Sequence, residues 1–307
     1  NNHINNTSER SMRYTNMKNA CTAEDLRLYD KWKEIFLNKI NETYGKKYPE
    51  IFTKSLITKK ANENARYIIS SYYKTRMVYT NDVREFTYIS RTIDYVLTLG
   101  DEMPPFLKGM KEELIEFNTL LKGTGLVFDA FNDQREKAFS LLSKNNKVIK
   151  PYYGDCIADT YKMSLSCTAQ LQRHRFLNIS IAFDETPEFF VPEILRDDEN
   201  LVKDWLNDCN SVKDRFPGAT LINVNEIAPA NLIIKKDYER LCSSVQQELC
   251  IQSLEQAKRI AKNMSDDYKE LKVQFSRLVG SKCLWQEGFK CPTPCGFIEG
   301  VKCTRKV

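Results

Sequence analysis

The sequence predicts an α+β protein, rich in helix, in which two similar halves are followed by a short cysteine-rich tail. Three observations support this prediction. Segments with apolar residues at helical spacing dominate the chain, each half also holds a strand-like run, and the polar stretch at 143–147 separates the halves. We therefore expect a first unit at 1–148, a second unit at 149–278 and a tail at 279–307.

The helical pattern is clearest near the start of the chain. Thr22 and Asp25 form a capping-box pattern. Apolar residues then recur at helical spacing toward Gly45, namely Leu28, Trp32, Ile35, Phe36 and Ile40. Similar patterns predict helices over 61–73, 83–99, 106–121 and 200–209, and a long helical segment over 237–278. Strand-like runs occur at 77–79, 157–163 and 219–224.

The composition is that of a globular protein with a normal core. The 307 residues are 42% hydrophobic and 28% charged, and no run approaches the length of a membrane span. A net charge of +5 is mild for this size, so small anionic ligands are a better expectation than nucleic acid. We expect a cytoplasmic protein without membrane contact, in which the six scattered cysteines are reduced core thiols.

The most informative motif is Arg173-His174-Arg175, which follows Gln170 on a predicted short helix after a strand. Arginine offers a planar set of donors that a phosphate accepts bidentately, and it stays charged at any working pH. In isolation, an Arg-His-Arg tripeptide is more often a solvated helix end than a phosphate site.

In its context, Gln-x-x-Arg-His-Arg after a strand resembles the signature of the flavin-dependent thymidylate synthases, where Ser-x-Arg-Tyr follows seven residues later. Phe183, Asp184 and Glu185 stand there instead. The other part of the signature is near the start, where the run from Glu9 to Tyr14 matches Glu-x-Ser-x-Arg-Tyr. The halves thus resemble two copies of one family unit with complementary losses.

Further matches are spaced alike in the two halves. Arg66 lies in an Ala-Arg-apolar segment, and Asn81 and Arg84 resemble the family's Asn-x-Arg turn with one extra residue. Arg240-Leu-Cys leads into 245–248, which resembles the family's Ala-Gln-x-Glu helix. The interval from Arg66 to Arg91 (91 − 66 = 25) equals that from Arg215 to Arg240 (240 − 215 = 25). The alternative for Arg91 and Arg240 is a surface ion pair on a charged helix.

The resemblance implies FAD-dependent methylation of dUMP to dTMP, with methylenetetrahydrofolate and NADPH as co-substrates. The residues it implies for dUMP are Ser11, Arg13, Arg66, Arg91, Gln170, Arg173 and Arg240. Those it implies for FAD are Arg173, His174, Arg175, Asn81 and Arg84. No protein nucleophile is expected, since the flavin carries the redox step. The family fold is an antiparallel sheet flanked by helices, and a duplicated chain would form a homodimer that mimics the family's tetramer.

The tail holds Cys283, Cys291, Cys295 and Cys303, with Pro292 and Pro294 between the inner pair and Gly296 directly after it. Four thiolates in such a loop are able to close a tetrahedral zinc site, and reduced or disulfide-paired cysteines are the alternative.

The sequence is also compatible with two other functions. The broken motifs favour a catalytically inactive relative that serves as a binding or scaffold protein. A nucleic-acid-binding protein would instead use the cysteine-rich tail with its basic residues Lys282, Lys290, Lys302, Arg305 and Lys306.

Overall fold

The computed structural model describes residues 6–9, 21–75, 77–128, 156–174 and 176–307. The strands are β1 (Asn6–Glu9), β2 (Met77–Thr80), β3 (Cys156–Ser164), β4 (Asn178–Ala182) and β5 (Leu221–Pro229). The longer helices are α1 (Ala23–Ile40), α2 (Lys54–Ala65), α3 (Val83–Thr98), α5 (Lys111–Gly123), α6 (Leu165–Leu171), α7 (Glu199–Ser211), α8 (Ala230–Arg240), α9 (Gln247–Asn263) and α10 (Lys269–Ser276). Single-turn helices are α4 (Pro105–Lys108), α11 (Lys282–Trp285) and α12 (Ile298–Val301). The predicted mixture of many helices with a small antiparallel sheet is confirmed.

Helix α1 forms where the local pattern predicts it. The Thr22 hydroxyl accepts a hydrogen bond from the Asp25 backbone N–H at 3.2 Å, and the Asp25 carboxylate accepts from the Thr22 N–H at 3.2 Å. This reciprocal pair satisfies two of the donors that a helix N-terminus leaves open. One face of the helix is buried, and it carries Leu28, Trp32, Phe36 and Ile40.

Both sheets in the described residues are antiparallel. Strands β1 and β2 form a two-stranded sheet with Asn6 opposite Thr80. The other sheet has the order β3-β5-β4, with β5 in the centre. Side chains along β5 alternate between half-buried and buried, as expected for a strand with one face on the core. Its buried positions are Ile222, Val224, Glu226 and Ala228.

Helix α7 packs on the first part of the chain. The Trp205 and Trp32 rings meet edge to face with centroids 4.8 Å apart. The Trp32 indole N–H donates to Asp208 at 2.8 Å, and Arg215 pairs with Asp25 at 2.5 Å. Residues from before and after 148 therefore share one hydrophobic core.

The two parts repeat a local order of elements. In the first part, β1 pairs with β2, and between them α2 is followed by a 3-10 turn that begins at Arg66. In the second part, β4 pairs with β5, and between them α7 is followed by a 3-10 turn that ends at Arg215. Helices α3 and α8 then follow β2 and β5. The segments after the two turns also pair with each other, since the Ser71 N–H donates to the Phe216 carbonyl and the Gly218 N–H to the Ile69 carbonyl.

Several predicted boundaries were wrong. The segment 237–278 is three helices, because the backbone leaves the helical region at Leu241 and again at Met264. The helix predicted over 61–73 instead covers Lys54–Ala65, where Thr53 caps its start. The helix predicted over 106–121 is interrupted between α4 and α5. Strands β1 and β4 were not predicted. No helix in the described part of the chain is both long and apolar enough to cross a membrane.

Candidate functional site

Two residues predicted for nucleotide binding meet on one glutamine. Arg66 follows α2 directly and is buried, with 7% of its surface exposed. Its guanidinium donates through Nη2 to the side-chain oxygen of Gln246. Gln170, on α6, donates through Nε2 to that same oxygen. The structure therefore joins a residue of the first part to two of the second.

A hydrogen-bonded chain extends from Gln246 into the core. The Gln246 amide donates to the Tyr67 hydroxyl, which donates to a Glu248 oxygen at 2.8 Å. The Ser164 N–H and hydroxyl donate to the Glu248 carboxylate at 2.7 and 2.6 Å. Burial raises the pKa of Glu248, although these bonds oppose the rise. This hydrogen-bonded series fixes the side chains around Arg66, because buried polar groups whose hydrogen bonds are all made hold a single arrangement.

One hydrogen-bond donor of Arg66 is not used within the described residues. Its Nε is buried and has no hydrogen-bond partner among the described residues. A buried guanidinium N–H without a partner is costly, and an anion that accepts from it removes that cost. Arg66 is thus suited to bind a phosphate or another oxyanion.

His174 is held neutral beside a second arginine. Arg240, at the end of α8, donates through Nε to His174 Nε2. This nitrogen must therefore be unprotonated. Burial, together with the charges of Arg240, Lys236 and Lys235, lowers the pKa of His174 to about 3. Its Nδ1 lies 3.8 Å from the Glu239 carboxylate.

Further positive charge lies in the same region. Burial lowers the pKa of Arg240, and the charge of Arg173 adds to that effect. Arg66 and Arg240 both act electrostatically on the buried Cys167 thiol, whose pKa is raised chiefly by burial. The predicted arginines Arg66, Arg173 and Arg240 therefore lie in one region of the fold. Such a cluster favours an anionic ligand.

The remaining predicted residues lie in other surroundings or outside the description. Asn81 donates to the Tyr79 hydroxyl at 2.6 Å and accepts from the Asp82 N–H. Arg84 is exposed on the first turn of α3, and Arg91 donates to the Phe128 carbonyl at 3.4 Å. Ser11, Arg13 and Arg175 lie outside the described residues.

Four residues of this network were not predicted as site residues, namely Tyr67, Ser164, Gln246 and Glu248. Sequence signals for three of them were present. Gln246 and Glu248 belong to the segment that resembles the family's Gln-x-Glu helix, and Tyr67 directly follows Arg66. Ser164 is recognisable only as the N-cap of α6, where its hydroxyl accepts from the Cys167 N–H.

The structure does not bring the four predicted zinc ligands together. Cys303 is buried against the core, with its Sγ 3.7 Å from the Ser281 hydroxyl. The hydrogen bond between Cys303 and Cys250 lowers the pKa of the Cys250 thiol, and Arg305 lowers it further by a smaller amount. Within the described ranges, no three His, Cys, Asp or Glu side chains are arranged to hold a metal ion, and all ten cysteines are free thiols. The described residues therefore do not show a zinc site, and zinc binding by these four cysteines stays a prediction.

The basic residues of the tail are partly engaged within the protein. Arg305 is buried and donates to the Val245 carbonyl at 2.6 Å. Lys306 pairs with Asp197, and the Lys282 ammonium lies 4.4 Å from the Phe289 ring centroid. Lys290 and Lys302 are exposed. These contacts weaken the case for a basic surface that binds nucleic acid.

Residues 2–92 match a family described as thymidylate synthase complementing protein. This match is a similarity to a thymidylate synthase-related class over the first part of the chain, which is less than half of its 307 residues. Within that class it resembles the flavin-dependent family, and the match includes Ser11, Arg13, Arg66 and Arg91. No curated protein and no solved structure matches the chain.

Proposed function

We propose that the protein catalyses the FAD-dependent methylation of dUMP to dTMP, with methylenetetrahydrofolate as carbon donor and NADPH as reductant. The family match over residues 2–92 supports this reaction class. The single observation that carries the proposal is the contact of Arg66 and Gln170 with one oxygen of Gln246. This contact brings together residues of both parts of the chain, and we propose that they line an anion-binding pocket.

The arginine cluster is the proposed site of the dUMP phosphate. The contact of Arg66 Nη2 with Gln246 fixes the orientation of the guanidinium. Its Nε, which has no partner among the described residues, is the proposed donor to the phosphate. Gln170 is fixed by the same acceptor. Arg173 and Arg240 add positive charge, and Ser11 and Arg13 are proposed to complete the pocket. A bidentate phosphate on Arg66 would satisfy the buried donor.

The FAD is proposed to contact Arg173, His174 and Arg175. The described part of this set fits an anionic cofactor, because a neutral histidine holds Arg240 in place next to the charge of Arg173. When bound, FAD supplies the redox chemistry of the reaction. The residues supply binding and orientation. Asn81 and Arg84 are proposed to reach the flavin of a second chain.

The repeated order of elements supports a tandem duplication. Each part has a strand, a helix, a 3-10 turn with an arginine, a partner strand and a helix. The second part has one helix, α7, where the first has α1 and α2, and its paired strands are correspondingly closer in sequence, with β4 and β5 separated by 183–220 and β1 and β2 by 10–76. In the family, sites lie between subunits of a tetramer, so we propose a homodimer of this duplicated chain.

The experiment that tests the proposal has two measurements on the purified protein. The first is the absorbance of flavin released on denaturation, or taken up from added FAD. The second is calorimetric titration of dUMP against wild type and Arg66→Gln. Loss of a hydrogen bond to a charged group is worth about 1.5–3 kcal/mol, so affinity should fall by roughly ten- to hundred-fold.

Arg196→Gln is the matched control, because Arg196 is exposed and pairs only with its neighbour Glu193 in the described contacts. It should bind dUMP as wild type does. A colourless protein that takes up no FAD and binds dUMP equally with or without Arg66 would remove the proposed enzyme. The scaffold interpretation would then replace it.

A further inference from the structure

A cavity is present whose lining includes none of the clustered arginines Arg66, Arg173 and Arg240. It has a volume of about 830 Å³ and is bounded by three segments, 99–107, 181–187 and 213–221. This volume lies within the roughly 300–1,000 Å³ typical of small-molecule sites. It includes Phe183, Asp184 and Glu185, the residues that stand where the second copy of the family motif would have Ser-x-Arg.

One wall of the cavity is aromatic. Phe106 and Phe183 stack with ring centroids 5.1 Å apart and planes at 19°. Phe216 meets both rings edge-on, at 5.2 and 5.5 Å. Phe183 and Phe216 are half-buried, and both residues line the cavity. This wall suits a flat ring, because aromatic pairs prefer stacked and edge-to-face contacts.

The backbone at Phe216, which lines this wall, is strained. Its φ is 47°, in the left-handed region that non-glycine residues seldom adopt. The conformation is held from outside, since the Phe216 carbonyl accepts from the Ser71 N–H and the next residues pair with 67–69. Strain that the surroundings enforce is concentrated at binding sites.

The charge of the cavity is opposite to that of the arginine cluster. Its lining contains four carboxylates, Glu102, Asp184, Glu185 and Asp214, against the single cation Lys213. The Lys162 ammonium lies 3.2 Å from the Asp184 carboxylate and partly neutralises its charge, but it also forms a salt bridge with Glu188 at 2.5 Å. Glu185 and Asp214 are exposed at the cavity. A phosphate would be repelled here, whereas a cation would be attracted.

A neutral polar group completes the lining. Thr220 is 2% exposed, and its hydroxyl has no hydrogen-bond partner among the described residues. Buried hydroxyls normally have a partner, so this one is available to a ligand that reaches the wall. Aromatic rings, an acidic rim and one spare hydroxyl are three independent properties that suit one ligand class.

We infer that this cavity binds a planar aromatic molecule that carries a protonated amine. The ring would lie against Phe183 and Phe216, and the ammonium group would lie toward Glu185 and Asp214. The inference is independent of the proposed reaction. It assigns a cationic ligand, opposite in charge to a nucleotide, to the segment Phe183-Asp184-Glu185.

The test compares three indole probes of similar size by equilibrium dialysis against the full chain. Tryptamine is a cation, N-acetyltryptamine is neutral and indole-3-acetate is an anion. Tryptamine should bind saturably and at least about tenfold tighter than indole-3-acetate, because the ring is common and only the charge differs. Saturating dUMP should leave tryptamine binding unchanged.

Variants separate the contributions of ring, charge and hydroxyl. Glu185→Gln combined with Asp214→Asn should weaken tryptamine by about fivefold or more and leave the neutral probe unaffected. Phe216→Leu should weaken all three probes. Thr220→Val should weaken tryptamine, whereas Thr119→Val, on the exposed face of α5, should not.

Three outcomes would overturn the inference. They are the absence of saturable binding of any probe, equal binding of the cation and the anion, and displacement of tryptamine by dUMP. The last would place the nucleotide in this cavity and contradict the proposed site as well. Intact dUMP binding with no tryptamine binding would reject the cavity inference alone.

Discussion

The Arg66 guanidinium donates a hydrogen bond to the side-chain oxygen of Gln246, 180 residues further along the chain. Gln246 is 1% exposed, and Gln170 and Tyr67 are bonded to the same side chain. One amide therefore holds three polar groups of the candidate site in place.

Replacement of this amide should be costly. Gln246→Leu leaves Arg66, Gln170 and Tyr67 without their shared partner, and each unsatisfied buried group costs about 1–3 kcal/mol. Relaxation of the site reduces the sum, so we expect a loss of about 2–4 kcal/mol in urea denaturation. Binding of dUMP should weaken as well. Gln172→Leu, at an exposed position, is the control and should remain near wild-type stability. Equal stability of both variants would show that the network does not form.

The packing of α7 on α1 predicts that the two parts unfold together. Trp205 is fully buried, touches Trp32 and donates to the Phe190 carbonyl at 2.8 Å. Trp205→Ala should cost about 3–5 kcal/mol, the usual range for a large buried aromatic residue. Thermal unfolding followed by circular dichroism should remain a single transition at lower temperature. Two separate transitions in the variant or the wild type would mean that the shared core does not couple the parts.

His174 should make stability depend on pH below neutrality. Its pKa is about 3 in the folded protein and about 6.5 in the unfolded chain, so the unfolded chain binds more protons between these values. The contribution of neutral His174 to the free energy of unfolding is therefore fully present above pH 6.5 and is lost as pH falls toward 3. The loss is at most about 1.4 kcal/mol per pH unit.

The measurement is urea denaturation of wild type and His174→Gln between pH 7.5 and 5. Wild type should lose more stability than the variant across this window. Gln172→Leu, at an exposed position without a titrating group, is the control and should follow wild type. Parallel curves for wild type and His174→Gln would show that His174 is not held neutral.

Local features of the fold could be predicted from the sequence, and long-range ones could not. The start of α1 depends on Thr22 and Asp25, three residues apart, so the pattern alone identifies it. The end of α8 at Leu241 could not be found, because Arg240-Leu-Cys-Ser-Ser contains neither glycine nor proline.

The candidate site shows the same division. The resemblance pointed to Arg66, Gln170, Arg173 and Arg240, which the structure brings into one region. It did not reveal that Gln246 connects two of them, because that contact depends on the packing of α9 against α6. Cys303 was assigned to a metal from its spacing, but burial against Cys250 depends on the path of the whole tail.

The last prediction concerns a buried ionic group outside the candidate site. Lys236 is 2% exposed and lies 3.0 Å from Glu226 and 3.1 Å from Asp237, both of which are fully buried. Burial raises the pKa of Asp237 to about 7, and the charge of Glu226 adds to this rise against the effect of Lys236. The folded protein therefore holds a proton that the unfolded chain releases near pH 4.

The sign is opposite to that of His174. Because the folded state binds more protons between about pH 4 and 7, Asp237 lowers stability as pH rises through this window. Asp237→Asn removes this dependence, so the stability of the variant relative to wild type should increase from pH 5 to pH 8. The increase is at most about 1.4 kcal/mol per pH unit. Asp204→Asn, on the exposed face of α7, controls for the loss of a carboxylate. A difference between Asp237→Asn and wild type that stays constant with pH would show that Asp237 is already ionised in the folded protein.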